Sequence, residues 1–162
     1  MSGALAIQPG EPDLDDRRVR AAFGRFATGV AFVTAEVDGT PLGLIVSSFA
    51  AVSLRPPLVS FCPSRHSITW RRMRQARRWT VHVLGAGHAA FVRRAAPAGA
   101  DRFADPGAMR DALASIECEA AAEHGAGDHW IVVGRVRRLR VASDGEPLVY
   151  FAGGFGHFRP QH

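Results

Sequence analysis

The chain has 162 residues, 47% of them hydrophobic, and a formal net charge of +5. That length fits one domain with a core of its own, no window of about 18 apolar residues exists to cross a membrane, and the opening MSGALAIQPGEPDLDDRR lacks the basic flank and apolar core of a signal peptide, so a cytoplasmic protein is expected. All twenty cationic residues are arginine, which excludes lysine Schiff-base or lysine-nucleophile chemistry and leaves many planar forks suited to phosphate.

In chain order, residues 1–12 read as a flexible leader ahead of a single domain over 13–162. DLDDRRVRAAFGRF then has an acidic first turn and apolar Val19, Ala22, Phe23 and Phe26 at helical spacing, which predicts an amphipathic helix. GVAFVTAEV and PLGLIVSSF flank the turn signal Asp38-Gly39 and predict a hairpin. An irregular stretch ends at Pro56-Pro57, where the short strand LVSFC begins. A helix over about 67–77 carries Trp70, Met73 and Ala76 as its apolar stripe, and the strand WTVHVL follows. The region from about 88 to 115 combines one helical segment with a loop rich in Ala, Pro, Gly and Asp. IECEAAAEH, HWIVVGRVRRLRV and PLVYFAG then return to strand character. Many strands, hairpin signals and few helices predict a mainly β protein, an antiparallel barrel with helical decoration.

Several chemical signals can be weighed from spacing alone. Arg71, Arg72, Arg74, Arg77 and Arg78 crowd one segment, which reads as a solvated helix face, with a nucleotide phosphate or a nucleic acid as the functional alternatives. Interleaved aromatics for base stacking are missing, so no nucleic-acid partner is expected. Gly85-Ala86-Gly87-His88-Ala89-Ala90 satisfies G-x-G-x-x-A after a strand. The second parallel strand ending in an acidic residue does not follow, so the glycines read as a strand-to-helix turn. Cys62 and Cys118 stand far apart in apolar surroundings and read as reduced core residues. Glu123, His124, Asp128 and His129 cluster in EHGAGDH, but a short glycine-rich loop offers no converging set of ligands, and no metal is expected. No nucleophile elbow occurs, and Ser47-Ser48 has no evident base beside it.

Two features remain. Small hydroxyls gather at strand ends, at Thr28, Ser47, Ser48, Ser53, Ser60, Ser64, Ser67 and Thr69. Singly each reads as edge or turn chemistry; together they could serve a long ligand with carbonyls, a polyol and a phosphate. Asp128-His129 puts an ionisable pair at the mouth of the apolar run WIVVG. Unpartnered charge there is costly, so the pair reads either as a turn cap beside a neutral packed histidine or as a positioning group at the rim of a pocket.

The blocks FATGVAFVTAEVDGTPLGLIVSSFAAVSLRPPLVSFC, HSITW, WTVHVL, DRFA, IECEA and AGDHWIVVGRV, in that order, resemble the short-chain flavin reductases, the reductase partners of two-component flavin monooxygenases. The resemblance runs from about Arg20 to Phe158. It implies a split β-barrel of the FMN-binding type, antiparallel and Greek-key-like, with a few peripheral helices. It also implies a homodimer in which NADH or NADPH passes hydride to FMN or FAD, and a flavin-dependent monooxygenase that receives the reduced flavin by diffusion. Carried over by position, Ile45, Val46, Ser47, Ser48 and Ser53 line the isoalloxazine and ribityl chain. Cys62, Ser64, Arg65, Ser67 and Thr69 fall on the segment that holds the flavin phosphate, with Thr28 among the cofactor-binding hydroxyls. Arg20, His129, Gly153, Gly154 and Phe155 fall where the nicotinamide is received, His129 being the residue nearest the chemistry. Ile45 stands where threonine is frequent, Ala95-Ala96 replaces Phe-Ala, and His82 replaces asparagine. Hydride transfer between two bound cofactors needs alignment and no protein nucleophile, in keeping with the empty search for one. A split-barrel flavin carrier without turnover is the alternative, and the Asp128-His129 block speaks against it.

Overall fold

The computed structural model describes residues 14–105, 107–142 and 144–158; the leader expected over 1–12 lies outside them. Helix α1 (Asp16–Phe23) is capped by Asp15, whose side chain accepts the Arg17 N–H, as its acidic first turn predicts. It is shorter than its apolar pattern: Phe26 lies beyond its end, and Phe23 and Phe26 are 76% and 78% exposed. The apolar side of this segment therefore meets no core among the described residues.

A two-residue strand β1 (Thr28–Gly29) leads to β2 (Ala31–Val37) and β3 (Thr40–Val46), the predicted hairpin. Asp38 and Gly39 both have positive φ, 50° and 72°, the geometry that matches a two-residue turn to strand twist. The stretch before Pro56-Pro57 is not irregular as expected. It is strand β4 (Ala50–Leu54), paired with β5 (Pro57–Phe61) across a bulge between Ala51 and Ser53. Its small and polar residues disguise it because the strand lies at an edge and buries little. Helix α2 (Ile68–Met73) is also shorter than predicted. Ser67 caps it by accepting the Trp70 N–H at 3.0 Å, Trp70 and Met73 enter the core, and the arginine cluster stays on the exposed side.

Strand β6 (Arg78–Val83) runs into a 3-10 turn at Ala86–His88 and helix α3 (Ala89–Ala95), so the glycine motif is a strand-to-helix turn. The long strands β7 (Ala114–Ala126) and β8 (His129–Val141) form a second hairpin, bent by bulges at Glu117/Cys118 and Ala120/Ala122. The chain ends in β9 (Leu148–Phe151) and β10 (Gly154–His157). β1 and β10 were not legible in the sequence, being short and rich in glycine.

Seven strands form one antiparallel sheet in the order β3-β2-β6-β7-β8-β5-β4, and β1-β9-β10 form a second. The large sheet curls but does not close through hydrogen bonds: β3 and β4 are its edges, which makes it split rather than closed. Inside pack Val33, Phe61, Trp70, Met73, Trp79, Val81 and Val132. Phe61 meets Trp70 and Trp79 edge-on, at 5.4 and 5.0 Å between ring centroids. A second cluster, Phe32, Leu84, Phe91, Val92 and Leu148, packs α3 and the small sheet onto the outside of β2 and β6. His82 lies on that outer face between Thr34 (3.1 Å) and Ser115 (3.2 Å). Burial first, then the charge of Arg140, lowers its pKa from 6.5 to about 4, so the ring is neutral at ordinary pH. Among the described residues no helix is long and apolar enough to cross a membrane.

Candidate functional site

Where the large sheet fails to close, the end of β3 faces the segment leaving β5. A side chain holds the two together. Ser48 Oγ accepts the Cys62 N–H at 2.9 Å and lies 3.4 Å from the Cys62 carbonyl, to which its own hydroxyl donates. A cleft of about 390 Å³ opens beside this contact. Leu44, Ile45, Val46, Ser47 and Ser48 form one wall; Cys62, Pro63, Ser64 and Ser67 form the other, with His129 at its rim. A second cavity of about 220 Å³ continues from Ile45, Val46 and Ser47 to Val30, Val92, Ala96, Tyr150 and Phe155, and is apolar except at the Ser47 hydroxyl and the Tyr150 phenol.

The hydroxyls of the first cleft are set up differently from one another. Ser48 is committed to Cys62. Ser64 Oγ accepts the His66 N–H at 3.1 Å and Ser67 Oγ accepts that of Trp70, so each has a lone pair engaged and a proton free to donate. Ser47, exposed at the junction of the two cavities, has no hydrogen-bond partner among the described residues, which leaves its hydroxyl entirely available. Two hydroxyls with protons left to donate, an unspent third and an apolar wall make an amphipathic cleft.

His129 opens β8 after the Asp128 turn, where Gly127 takes φ +57°. Its Nδ1 lies 2.7 Å from Asp128 Oδ1. The hydrogen bond from His129, and then the charge of that ring, hold the Asp128 carboxyl below the usual carboxylate range. An ionised carboxylate accepts, so Nδ1 carries the hydrogen and Nε2, without a partner among the described residues, remains for a ligand. The dipeptide at the strand mouth is thus a partnered pair at the rim of a cleft.

Of the residues singled out in the sequence, the structure brings Ile45, Val46, Ser47, Ser48, Cys62, Ser64, Ser67 and His129 together in one cleft, with Phe155 in the adjoining cavity. Others stand apart. Arg20 is exposed on α1, Ser53 lies on β4 opposite Leu58, and Thr69 is within α2. Thr28 pairs with Tyr150 across β1 and β9, its Oγ1 buried without a partner. Ala152 and Gly153, with φ of 48° and 84°, make the turn from β9 to β10, and Gly154 opens β10. Arg65 extends its guanidinium over Trp130 rather than into the cleft. Leu44, Pro63, Val30, Val92 and Tyr150 also line the site, as does Ala96, which the sequence marked only as a departure from the family pattern. Tyr150 carried a signal as the single tyrosine of the chain, on the short strand β9.

A larger groove, about 750 Å³, runs past Glu36, Arg78, Glu117, Glu119, Arg137 and Arg138. It shares no residue with the seam, and Arg137 there is paired with Glu119 at 2.7 Å. Among the described residues no group of three or more His, Cys, Asp or Glu is placed to hold a metal ion.

The structure is a split β-barrel with an amphipathic cleft at its seam, and among the described residues of that cleft no serine or cysteine is hydrogen-bonded to a base. The chain belongs to the flavin reductase like domain family, whose model matches residues 23–159. It is 40% identical over 156 residues to the FMN reductase (NADH) SmoA of Agrobacterium fabrum, covering 91% of this chain and 88% of that protein. To the flavin-dependent monooxygenase reductase subunit HsaB of Rhodococcus jostii it is 34% identical over 167 residues, covering 98% and 84%. Among solved structures, the NADH:FAD oxidoreductase SgcE6 of Streptomyces globisporus, in complex with NAD and FAD fragments, superposes with a TM-score of 0.82 at 31% identity, covering 90% and 94%.

Proposed function

We propose that this chain is an NADH-oxidising flavin reductase that binds the flavin mononucleotide portion of FMN or FAD in the seam cleft and supplies reduced flavin to a partner monooxygenase. One observation carries the reading: the end of β3 and the segment after β5 meet as an amphipathic cleft with His129 at its rim. The apolar wall of Leu44, Ile45 and Val46 suits a planar ring, and Ser47 suits the polyol. Ser64 and Ser67, with their protons free, suit a phosphate, and the neighbouring Arg65 supplies positive charge. The donor set therefore fits an FMN moiety.

The flavin supplies the hydride-accepting ring and the nicotinamide the hydride; the chain's own work is alignment. The second cavity, bounded by Tyr150, Phe155 and Ala96, adjoins the first through Ile45–Ser47, so two flat rings can be held in contact without leaving protein. Asp128 fixes the tautomer and the aim of His129, whose Nε2 would accept a hydrogen bond from the carboxamide of a bound nicotinamide. No group need gain or lose a proton for hydride transfer itself, so the site works by proximity and alignment.

The homodimer belongs to the same reading. It is supported by the unpartnered Phe23 and Phe26 and by Leu54, 89% exposed on the edge strand β4. Sedimentation at assay concentration tests it, and a monomer with full activity would end it. The activity is tested by following NADH and NADPH oxidation with FMN, FAD and riboflavin in turn. Turnover with at least one phosphate-bearing flavin and with NADH is expected. Flavin binding without turnover would reduce the protein to a carrier.

A further inference from the structure

Trp130 takes no part in the chemistry above. Its ring nevertheless lies beside two guanidinium groups, with Cζ of Arg65 4.5 Å and Cζ of Arg74 5.1 Å from its centroid. Two cations at one ring repel, and only one is compensated. Arg74 donates to Glu123 at 2.6 Å, whereas Arg65 has no carboxylate partner among the described residues. The other side-chain bond of Arg65 runs from Nε–H to the carbonyl of His129 at 3.4 Å. Gly125, opposite Trp130 in the β7–β8 ladder, makes room for this arrangement, since a Cβ there would run into the Arg65 guanidinium.

The backbone ties the same two segments. Arg65 N–H donates to Asp128 O and Trp130 N–H to Pro63 O, each at 2.9 Å, and Ser64 forms a bridge with His129. The Ser64 and Ser67 hydroxyls, read above as the phosphate end, and the His129 imidazole, read as the nicotinamide end, thus sit on one braced unit. Its side-chain brace is the Arg65–Trp130–Arg74 stack, anchored by Glu123.

We propose that Trp130, with Arg65 and Arg74 stacked on it, is a positioning residue that couples the two ends of the site, so that a phosphate held at Ser64 and Ser67 raises the affinity of the His129 end for nicotinamide. The inference rests on the reading of the cleft given above. Arg65 is the link: next in the chain to Ser64 and without a carboxylate partner among the described residues, its charge attracts an anion at the cleft from outside the lining, while its Nε–H donates to the carbonyl of His129. By linkage the effect is reciprocal: bound nicotinamide tightens a phosphate-bearing flavin by the same factor. Riboflavin, which has the ring and polyol but no phosphate, should not engage it.

The test measures equilibrium binding of FMN and of riboflavin by flavin fluorescence, with and without saturating NAD+, in the full chain and in Trp130→Leu and Gly125→Ala. Gly125 has an ordinary φ, and a methyl there displaces only the flexible end of Arg65, so this second variant keeps its fold if Trp130→Leu does not. In the wild type NAD+ should lower the FMN dissociation constant about fivefold or more and leave that of riboflavin nearly unchanged. In both variants the FMN effect should shrink to the riboflavin level, while riboflavin affinity holds. Equal coupling for FMN and riboflavin in the wild type, or full FMN coupling in a folded variant, overturns the proposal alone. A wild type that binds neither flavin nor NAD+ overturns it together with the reading of the cleft.

Discussion

Replacing Ser48 by alanine removes the hydroxyl that joins the end of β3 to the end of β5, and the structure says what is left behind. The Cys62 N–H, bonded at 2.9 Å, and the Cys62 carbonyl, at 3.4 Å, both lose a partner in a half-buried position. An unsatisfied donor of this kind costs about 1–3 kcal/mol, and the long second contact adds little, so a loss of about 1–2 kcal/mol is expected. For a domain of this size the thermal midpoint should fall by about 2–8 °C. Ser47→Ala is the matched control. Its hydroxyl has no partner among the described residues, so the midpoint should stay within about 1 °C, while flavin affinity falls about three- to tenfold through loss of one ligand hydrogen bond. Thermal melts by circular dichroism and titration of flavin fluorescence on both variants decide the matter. A Ser48→Ala protein as stable as the wild type, or a Ser47→Ala protein that loses stability and keeps its flavin affinity, would refute the division of labour between the two serines.

His82 binds a proton less readily in the folded chain than in the unfolded one, so stability rises with pH between about 4 and 6.5 and is lost as acid is added. The shift corresponds to up to about 3 kcal/mol, and screening at a ring only partly buried brings it nearer 1–2 kcal/mol. His82→Asn, read by urea midpoints at pH 7 and pH 5, should flatten that acid limb. Cys118 is buried, with its thiol pushed up to about 12, whereas Cys62 lines the cleft. Iodoacetamide followed by mass mapping should therefore spare Cys118 and label Cys62, and saturating flavin should protect Cys62. Gly87 has open space around it and an ordinary φ, so Gly87→Ala should leave the Michaelis constant for nicotinamide unchanged; a selective rise would restore phosphate binding to that glycine turn.

The hairpin at Asp38-Gly39 and the strands LVSFC, WTVHVL and HWIVVGRV were legible because alternation and turn chemistry are local and each of these strands buries one face. β4 was not, because an edge strand with little burial has no need of apolar alternation. The end of α2 was misplaced by the spacing of Ala76, which packs from the turn beyond the helix. At the site, the resemblance marked the two walls of the cleft, and the structure adds roles within them. Ser48 serves the seam and Ser47 is free, a distinction set by the partner at Cys62, fourteen residues away, which spacing cannot show. Gly153 has the positive φ of a hairpin turn, a demand that exists whatever the ligand. Trp130 and Gly125 were invisible as a pair because their contact with Arg65 depends on the β7–β8 register.

The central claim is that His129 aligns the nicotinamide over a flavin held independently by the cleft. Stopped-flow measurement of hydride transfer in His129→Ala, with flavin binding followed by fluorescence quenching in the same preparation, tests it most directly. Losing one such contact costs about 1–3 kcal/mol in the transition state, so efficiency with the nicotinamide should fall about ten- to a hundredfold while the flavin dissociation constant holds. Unchanged hydride transfer, or a loss that only tracks weakened flavin binding or folding, would contradict the account and leave His129 as the partner of a turn.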